Sequence, residues 1–181
     1  MLITPEYAEQ NAALHRQNEL YGTSGYKKAS DIINLINNDG SRTLLDYGCG
    51  KATLATALDH RAEEIIEPLF ITNYDPAIAE YAARPKPCDL VVCGDVLEHI
   101  EPDCLDEVLA DIKSLTLQHA YFIISLIPAQ KYLPDGRNAH LIIETAEWWT
   151  TKLEKEWEIW ITKQTEKELR LLCAPRSTEF S

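Results

Sequence analysis

The chain has 181 residues, enough to build one full hydrophobic core and too few for two comfortable ones. It is 45% hydrophobic and 25% charged, an ordinary globular mix, and no apolar run approaches the roughly 20 residues that span a bilayer. The net charge of −12 is unevenly spread: residues 51–112 carry 4 basic and 14 acidic side chains, a field that repels a long phosphate backbone and argues against free-standing duplex DNA binding. The five cysteines are odd in number and mostly in apolar surroundings, so reduced thiols are expected. Met1–Glu6 lack the basic region and apolar core of a signal peptide, and a cytoplasmic location is expected.

Thr4 and Pro5 open an amphipathic helix expected to run to Leu20. Tyr21–Tyr26 is a break. A second helix spans about Ser24 to Asn37, with Ile32, Ile33, Leu35 and Ile36 on its apolar side and Asn38-Asp39-Gly40 as its stop. Thr43–Tyr47 reads as the first strand and Ala52–Asp59 as a helix. Leu69–Tyr74 is a second strand, and a short helix is expected from Ala77 to Ala83 before Arg84-Pro85-Lys86-Pro87 breaks it. Asp89–Cys93 is a third strand and Pro102–Leu115 a helix with Leu105, Val108, Leu109 and Ile112 on one face. Tyr121–Ile127 is a fourth strand, apolar throughout and so buried on both faces. A polar loop, Pro128–Ala139, precedes a helix over Glu144–Lys155. Trp157–Thr162 and Glu168–Cys173 form a hairpin, and the chain is expected to fray from Pro175. Apolar strands alternating with helices predict an α/β fold whose parallel sheet is wrapped by helices and closed by an antiparallel hairpin.

Three stretches carry chemistry. In Leu44-Leu45-Asp46-Tyr47-Gly48-Cys49-Gly50, a buried strand runs into a glycine turn where a ligand can approach the backbone. Thr53 stands where a dinucleotide-binding turn has its third glycine, and Asp46 is unfavourable to a diphosphate, so an amine or sulfonium ligand suits the site better. Asp75 ends the second strand, where an acid can accept both hydroxyls of a ribose or simply cap the turn at Pro76. Asp95, Glu98 and His99 follow the third strand at a spacing that puts all three on one face if the segment is helical.

The combination resembles the class I S-adenosylmethionine-dependent methyltransferases. Leu44–Gly50 looks like their first motif, Asp75 matches their ribose-binding acid, and Asp89–Ile100 is similar to their fourth-strand motif. Tyr21-Gly22-Thr23-Ser24-Gly25 resembles the segment that covers the methionine end of the cofactor. The resemblance implies a Rossmann-like methyltransferase sheet in residues 41–175, with residues 1–40 covering the cofactor site within one domain. It implies S-adenosylmethionine as cofactor, with Tyr21, Gly25, Asp46, Tyr47, Gly48, Cys49, Gly50, Asp75, Pro76, Asp95 and Val96 around it. Ala52 stands where many members have a further glycine. The fourteen residues from Asp75 to Asp89 cannot easily hold the usual third strand and its helices, so that strand is expected to be missing or shortened.

The acceptor is expected to be a small molecule or nucleotide-like compound. An RNA or protein acceptor reached with a partner, or a non-catalytic cofactor-binding subunit, are the alternatives. Asp95, His99 and His140 are the candidate catalytic residues, and the polar loop with Asp135, Arg137, Asn138 and His140 reads as a substrate lid. Glu98-His99 also resembles the metal-binding stretch of small-RNA 2′-O-methyltransferases and of some ubiquinone-pathway enzymes. By that resemblance Asp95, Glu98, His99 and His140 are candidate ligands for magnesium or manganese, although no metal is assigned. Cys88 reads as structural. Trp148 or Trp149 could stack a planar substrate, at least one of them being core, while Trp157 and Trp160 pack on the hairpin.

Overall fold

The computed structural model describes residues 1–19 and 21–177. Helix α1 (Pro5–Gln17) starts where expected: the Thr4 hydroxyl accepts the Tyr7 N–H at 3.2 Å and Pro5 opens the first turn. It stops before the expected Leu20, which lies outside the described residues. Ser24–Lys28 is a 3-10 turn, and α2 (Ala29–Asp39) begins only after it. The expected single helix from Ser24 fails because Gly25 is pressed onto the start of α3 (Thr53–Asp59), where a Cβ would lie 2.6 Å from the Leu54 nitrogen. Gly40, at φ 73°, terminates α2 in the left-handed conformation.

Strands β1 (Thr43–Tyr47), β2 (Phe70–Tyr74), β3 (Cys88–Gly94), β4 (Thr116–Ser125), β5 (Trp157–Gln164) and β6 (Glu168–Pro175) form one sheet in the order β2-β1-β3-β4-β6-β5. The first four are mutually parallel, with Leu45 aligned to Thr72 and Val91; β6 runs antiparallel to both β4 and β5. Successive residues point to opposite faces. Leu44, Leu90, Val92 and Ile123 meet Ile32, Ile33 and Ile36 of α2 and Leu54 and Leu58 of α3. On the other face Leu45, Val91, Cys93, Phe122 and Ile124 meet α4 (Leu105–Leu115) and α5 (Ala146–Glu154). Each fully buried Leu, Ile or Phe contributes about 1.5–3 kcal/mol, and covering both faces explains why β3 and β4 are apolar without alternation.

Between Asp75 and Cys88 the described chain forms turns, with no helix or strand, so β2 is an edge of the sheet. The omitted third strand was expected. The helix expected over Ala77–Ala83 does not form: the eight residues between Pro76 and Pro85 are too few to repay helix nucleation, and the Asp75 N–H donates to the Tyr81 carbonyl instead. Strand β4 begins at Thr116, ahead of the expected Tyr121, because Thr116 ends α4 in extended backbone and continues directly into the ladder. Trp149 and Trp157 are core side chains, Trp148 and Trp160 are exposed, and all five cysteines are free and buried. Among the described residues no helix is long and apolar enough to cross a membrane.

Candidate functional site

Strands β1, β2 and β3 end at one edge of the parallel sheet, where ligands bind in open α/β folds. Gly48 and Gly50 have φ of 75° and 54°, which only glycine adopts without strain. They are also packed from behind: a Cβ on Gly48 would lie 2.4 Å from Val96 Cγ2, and one on Gly50 would lie 2.8 Å from the Gly22 carbonyl oxygen. The Gly48 and Cys49 amides both donate to the Tyr74 carbonyl, closing the turn onto β2, and the Gly50 amide donates to Asp75 Oδ2 at 3.1 Å. Asp75 Oδ1 accepts the Ala77 N–H at 3.0 Å. The Asp75 carboxylate is thus held by two backbone donors, and an ionised carboxylate has lone pairs left for further donors. Its pKa is raised because burial outweighs those bonds.

This turn forms part of a cavity of about 590 Å³, within the range of small-molecule sites. Tyr21, Tyr47, Gly48, Gly50, Asp75, Pro76, Asp95 and Val96 line it, as do His15, Glu98, His99 and His140. Helix α1 contributes Tyr7, Asn11 and His15 to the wall and is fastened across it. Glu101 accepts the Thr4 amide and hydroxyl at 2.9 and 2.8 Å, and the Tyr7 hydroxyl donates to the His99 carbonyl at 2.6 Å.

Asp95 has φ 57°, which turns the chain out of β3. Leu97–His99 is then a 3-10 turn, so Asp95 does not share a face with Glu98 and His99. It pairs instead with Lys28 at 2.7 Å, and Lys28 also donates to the Ser24 hydroxyl at 3.0 Å. Burial raises the Asp95 pKa, but the Lys28 charge and hydrogen bond outweigh it and the net shift is down. Lys28 crosses beneath Gly94, where a Cβ would lie 2.7 Å from Nζ. Nothing in the sequence marked Lys28: a lysine before an apolar helix reads as a solvated charge.

Glu98 is fully buried. Its Oε1 accepts the Ser125 amide at 2.9 Å, and its Oε2 has no hydrogen-bond partner. Burial pushes its pKa up to about 8, with the Asp95 charge adding to the effect. An unsatisfied buried carboxyl oxygen costs about 1–3 kcal/mol. Burial also lowers His99, to about 4, with His140 contributing, so its ring is neutral. His99 Nδ1 lies 2.7 Å from the Ala139 carbonyl, and His140 Nδ1 lies 2.6 Å from the Ile127 carbonyl. A carbonyl only accepts, so both rings carry their proton on Nδ1 and Nε2 is the nitrogen left for other work. His15, Tyr21, His99 and His140 stand edge to face in series at 4.6, 5.9 and 4.6 Å between centroids.

A family profile described as a methyltransferase domain matches residues 15–174. The chain belongs to that methyltransferase family. No curated protein matches it significantly in sequence. Among solved structures it is similar to Burkholderia thailandensis 1,6-didemethyltoxoflavin-N1-methyltransferase, which holds 1,6-didemethyltoxoflavin and S-adenosylhomocysteine. That pair is 16% identical over 98% of this chain and 92% of the other, with a TM-score of 0.60. It is similar to Synechocystis PCC 6803 magnesium protoporphyrin IX methyltransferase with bound S-adenosylhomocysteine (14% identity, 83% of each chain, TM-score 0.57). It also resembles mitomycin 7-O-methyltransferase MmcR (15% identity, 91% of this chain and 60% of the other, TM-score 0.62). At these identities the likeness is one of fold, and the fold is the Rossmann-like methyltransferase sheet with its antiparallel C-terminal hairpin.

In this methyltransferase domain the expected site residues divide into two groups. Gly25, Asp46 and Cys49 do not reach the large cavity; they line a cleft of about 40 Å³ beside it, with Lys28 and Asp95. Tyr47 reaches the large cavity, but its hydroxyl is committed to Asp111 at 3.0 Å. In the loop after β4 only part of the expected lid faces the site. Asp135 and Arg137 pair with each other, Asn138 braces the Ala129 backbone, and His140 lines the cavity. Nothing in the sequence marks His15, because a lone histidine on an amphipathic helix carries no signal.

Proposed function

We propose that the chain is an S-adenosylmethionine-dependent methyltransferase acting on a small-molecule or nucleotide-like acceptor. The observation that carries this reading is that one cavity joins the glycine turn and Asp75 to the paired imidazoles of His99 and His140. The wall suits the cofactor: backbone at Gly48 and Gly50 without side chains, and the Asp75 carboxylate fixed on two amides with lone pairs spare. Bound there, S-adenosylmethionine supplies an electrophilic methyl group on a sulfonium. Asp75 accepts its ribose hydroxyls, Tyr47–Gly50 backbone, Pro76, Asp95 and Val96 flank it, and Tyr21 covers it. Asp46, Cys49 and Gly25 shape the turn from the adjoining cleft. His99 and His140 hold the acceptor and take up its proton at Nε2, while α1 and the 128–140 loop exclude water.

The reading is tested with S-adenosylhomocysteine. At 100 times its Kd, a ligand stabilises by about 2.7 kcal/mol, which for a domain of this size raises Tm by about 5–10 °C. The wild-type chain shows that shift, and Asp75→Ala reduces affinity at least ~10-fold, as expected for loss of charge-assisted hydrogen bonds. A wild-type chain whose melting ignores saturating S-adenosylhomocysteine overturns the reading. An acceptor panel of small hydroxylated and amine compounds, nucleosides and short RNA then identifies the acceptor class.

A further inference from the structure

Glu98 and His99 lie in the turn after β3, and His140 lies beyond β4. One carboxylate oxygen and one ring nitrogen from each histidine fall within 4.8 Å of one another on the cavity wall. We propose that Glu98, His99 and His140 bind a divalent first-row transition-metal ion.

Several independent features support this. Each histidine donates Nδ1–H to a backbone carbonyl, Ala139 or Ile127, the arrangement that fixes a metal-ligating imidazole with Nε2 as the donor. Glu98 is fully buried with Oε1 accepting the Ser125 N–H, while Oε2 is buried with no hydrogen-bond partner. Ligand bonds of ~2.0–2.2 Å set donors about 3–4 Å apart, so a small closing movement of the half-buried His140 completes the site. The geometry also narrows the ligand set. Asp95, four residues before His99 in sequence, is held away by Lys28 and takes no part.

Two imidazoles and one carboxylate select manganese, iron, cobalt or zinc over magnesium and calcium, which prefer oxygen donors. The three protein donors leave other coordination positions facing the cavity. The inference rests on the proposed function and replaces one part of it: with the ion bound, the Nε2 lone pairs hold the metal, so the acceptor meets the metal and neither imidazole takes up its proton.

The test uses the full chain, stripped with a chelator, dialysed, and titrated with Co²⁺ and then Zn²⁺. Calorimetry and the visible Co²⁺ absorption give stoichiometry and affinity. The expected result is one ion per chain, with binding weakened at least ~10-fold in His140→Ala and in Glu98→Gln. Glu98→Gln keeps the Oε1 acceptor and the side-chain shape, so it separates ligation from folding. His60→Ala, at an unrelated exposed histidine, binds the ion as the wild type does. No saturable binding, or equal binding by the wild type and both site variants, overturns the proposal. The S-adenosylhomocysteine melting shift on the same samples reads the cofactor proposal separately: metal binding without that shift keeps this site and removes the methyltransferase reading.

Discussion

Ala52 is the residue whose backbone says most about the glycine turn. It sits at φ 52° and ψ 34°, the left-handed conformation that an L side chain adopts at about 1–2 kcal/mol. Glycine takes that conformation freely but loses more chain entropy on folding. Ala52→Gly is therefore expected to raise stability by about 0.5–1 kcal/mol and Tm by about 1–4 °C, measured by thermal unfolding. Asp46 gives a prediction of a different kind. Burial lifts its pKa to about 7, with Lys28 opposing and Asp75 reinforcing the shift. Between about pH 4 and 7 the unfolded chain carries Asp46 ionised while the folded chain keeps it protonated, so folding takes up a proton. Its contribution to stability is complete below pH 4 and declines as pH rises to 7, by up to about 1.4 kcal/mol per unit. Glu98 slopes the same way, so the informative quantity is the difference between wild type and Asp46→Asn. Denaturant unfolding should show that difference moving in favour of the variant from pH 4 to 7 and levelling off above.

At the scale of elements, α1 is the piece most open to test. It has two buried apolar side chains, Tyr7 and Leu14, and is tied across the cavity by Thr4 and Tyr7 to Glu101 and His99. Thr4→Ala removes the helix cap and one bond to Glu101, and should cost about 1–2 kcal/mol locally, read as faster amide exchange in α1 than in α4. The elements also show what the sequence could reveal. The strands, the capped start of α1, the hairpin and the omitted third strand were all legible because periodicity, cap chemistry and the length of the 75–89 segment are local. Propensity favours a helix after Asp75 that the chain does not form, because propensity ignores how few residues lie between the two prolines. Asp95 was grouped with Glu98 and His99 because spacing was read as helical, and a left-handed residue followed by a 3-10 turn breaks that spacing. Lys28 and His15 were invisible because their roles arise from contacts with segments distant in sequence.

For the whole molecule, the sheet order places the first four strand ends in register, so one edge collects the glycine turn, Asp75, Asp95 and the 97–99 turn. Of the acidic excess of residues 51–112, Asp75, Asp95 and Glu98 line the cavity at this edge, whereas Asp59, Glu63, Glu64 and Glu67 lie ahead of β2. Neither fact names the acceptor, which under the proposed function meets α1 and the irregular 128–140 loop. The same architecture hides every described cysteine. Burial raises the pKa of Cys173 to about 12 and pushes Cys49 and Cys93 up as well, so these thiols are both shielded and protonated. Cys49 differs from the others in where it lies, between the two glycines of the turn. A thiol-specific reagent can reach it when that turn alone opens, whereas Cys93 and Cys173 wait for the sheet to come apart. Labelling by mass spectrometry should give one fast site and a slow remainder, with S-adenosylhomocysteine slowing the fast one. The turn thus carries its own chemical clock, whose rate reports how often the ligand-facing backbone leaves its folded position.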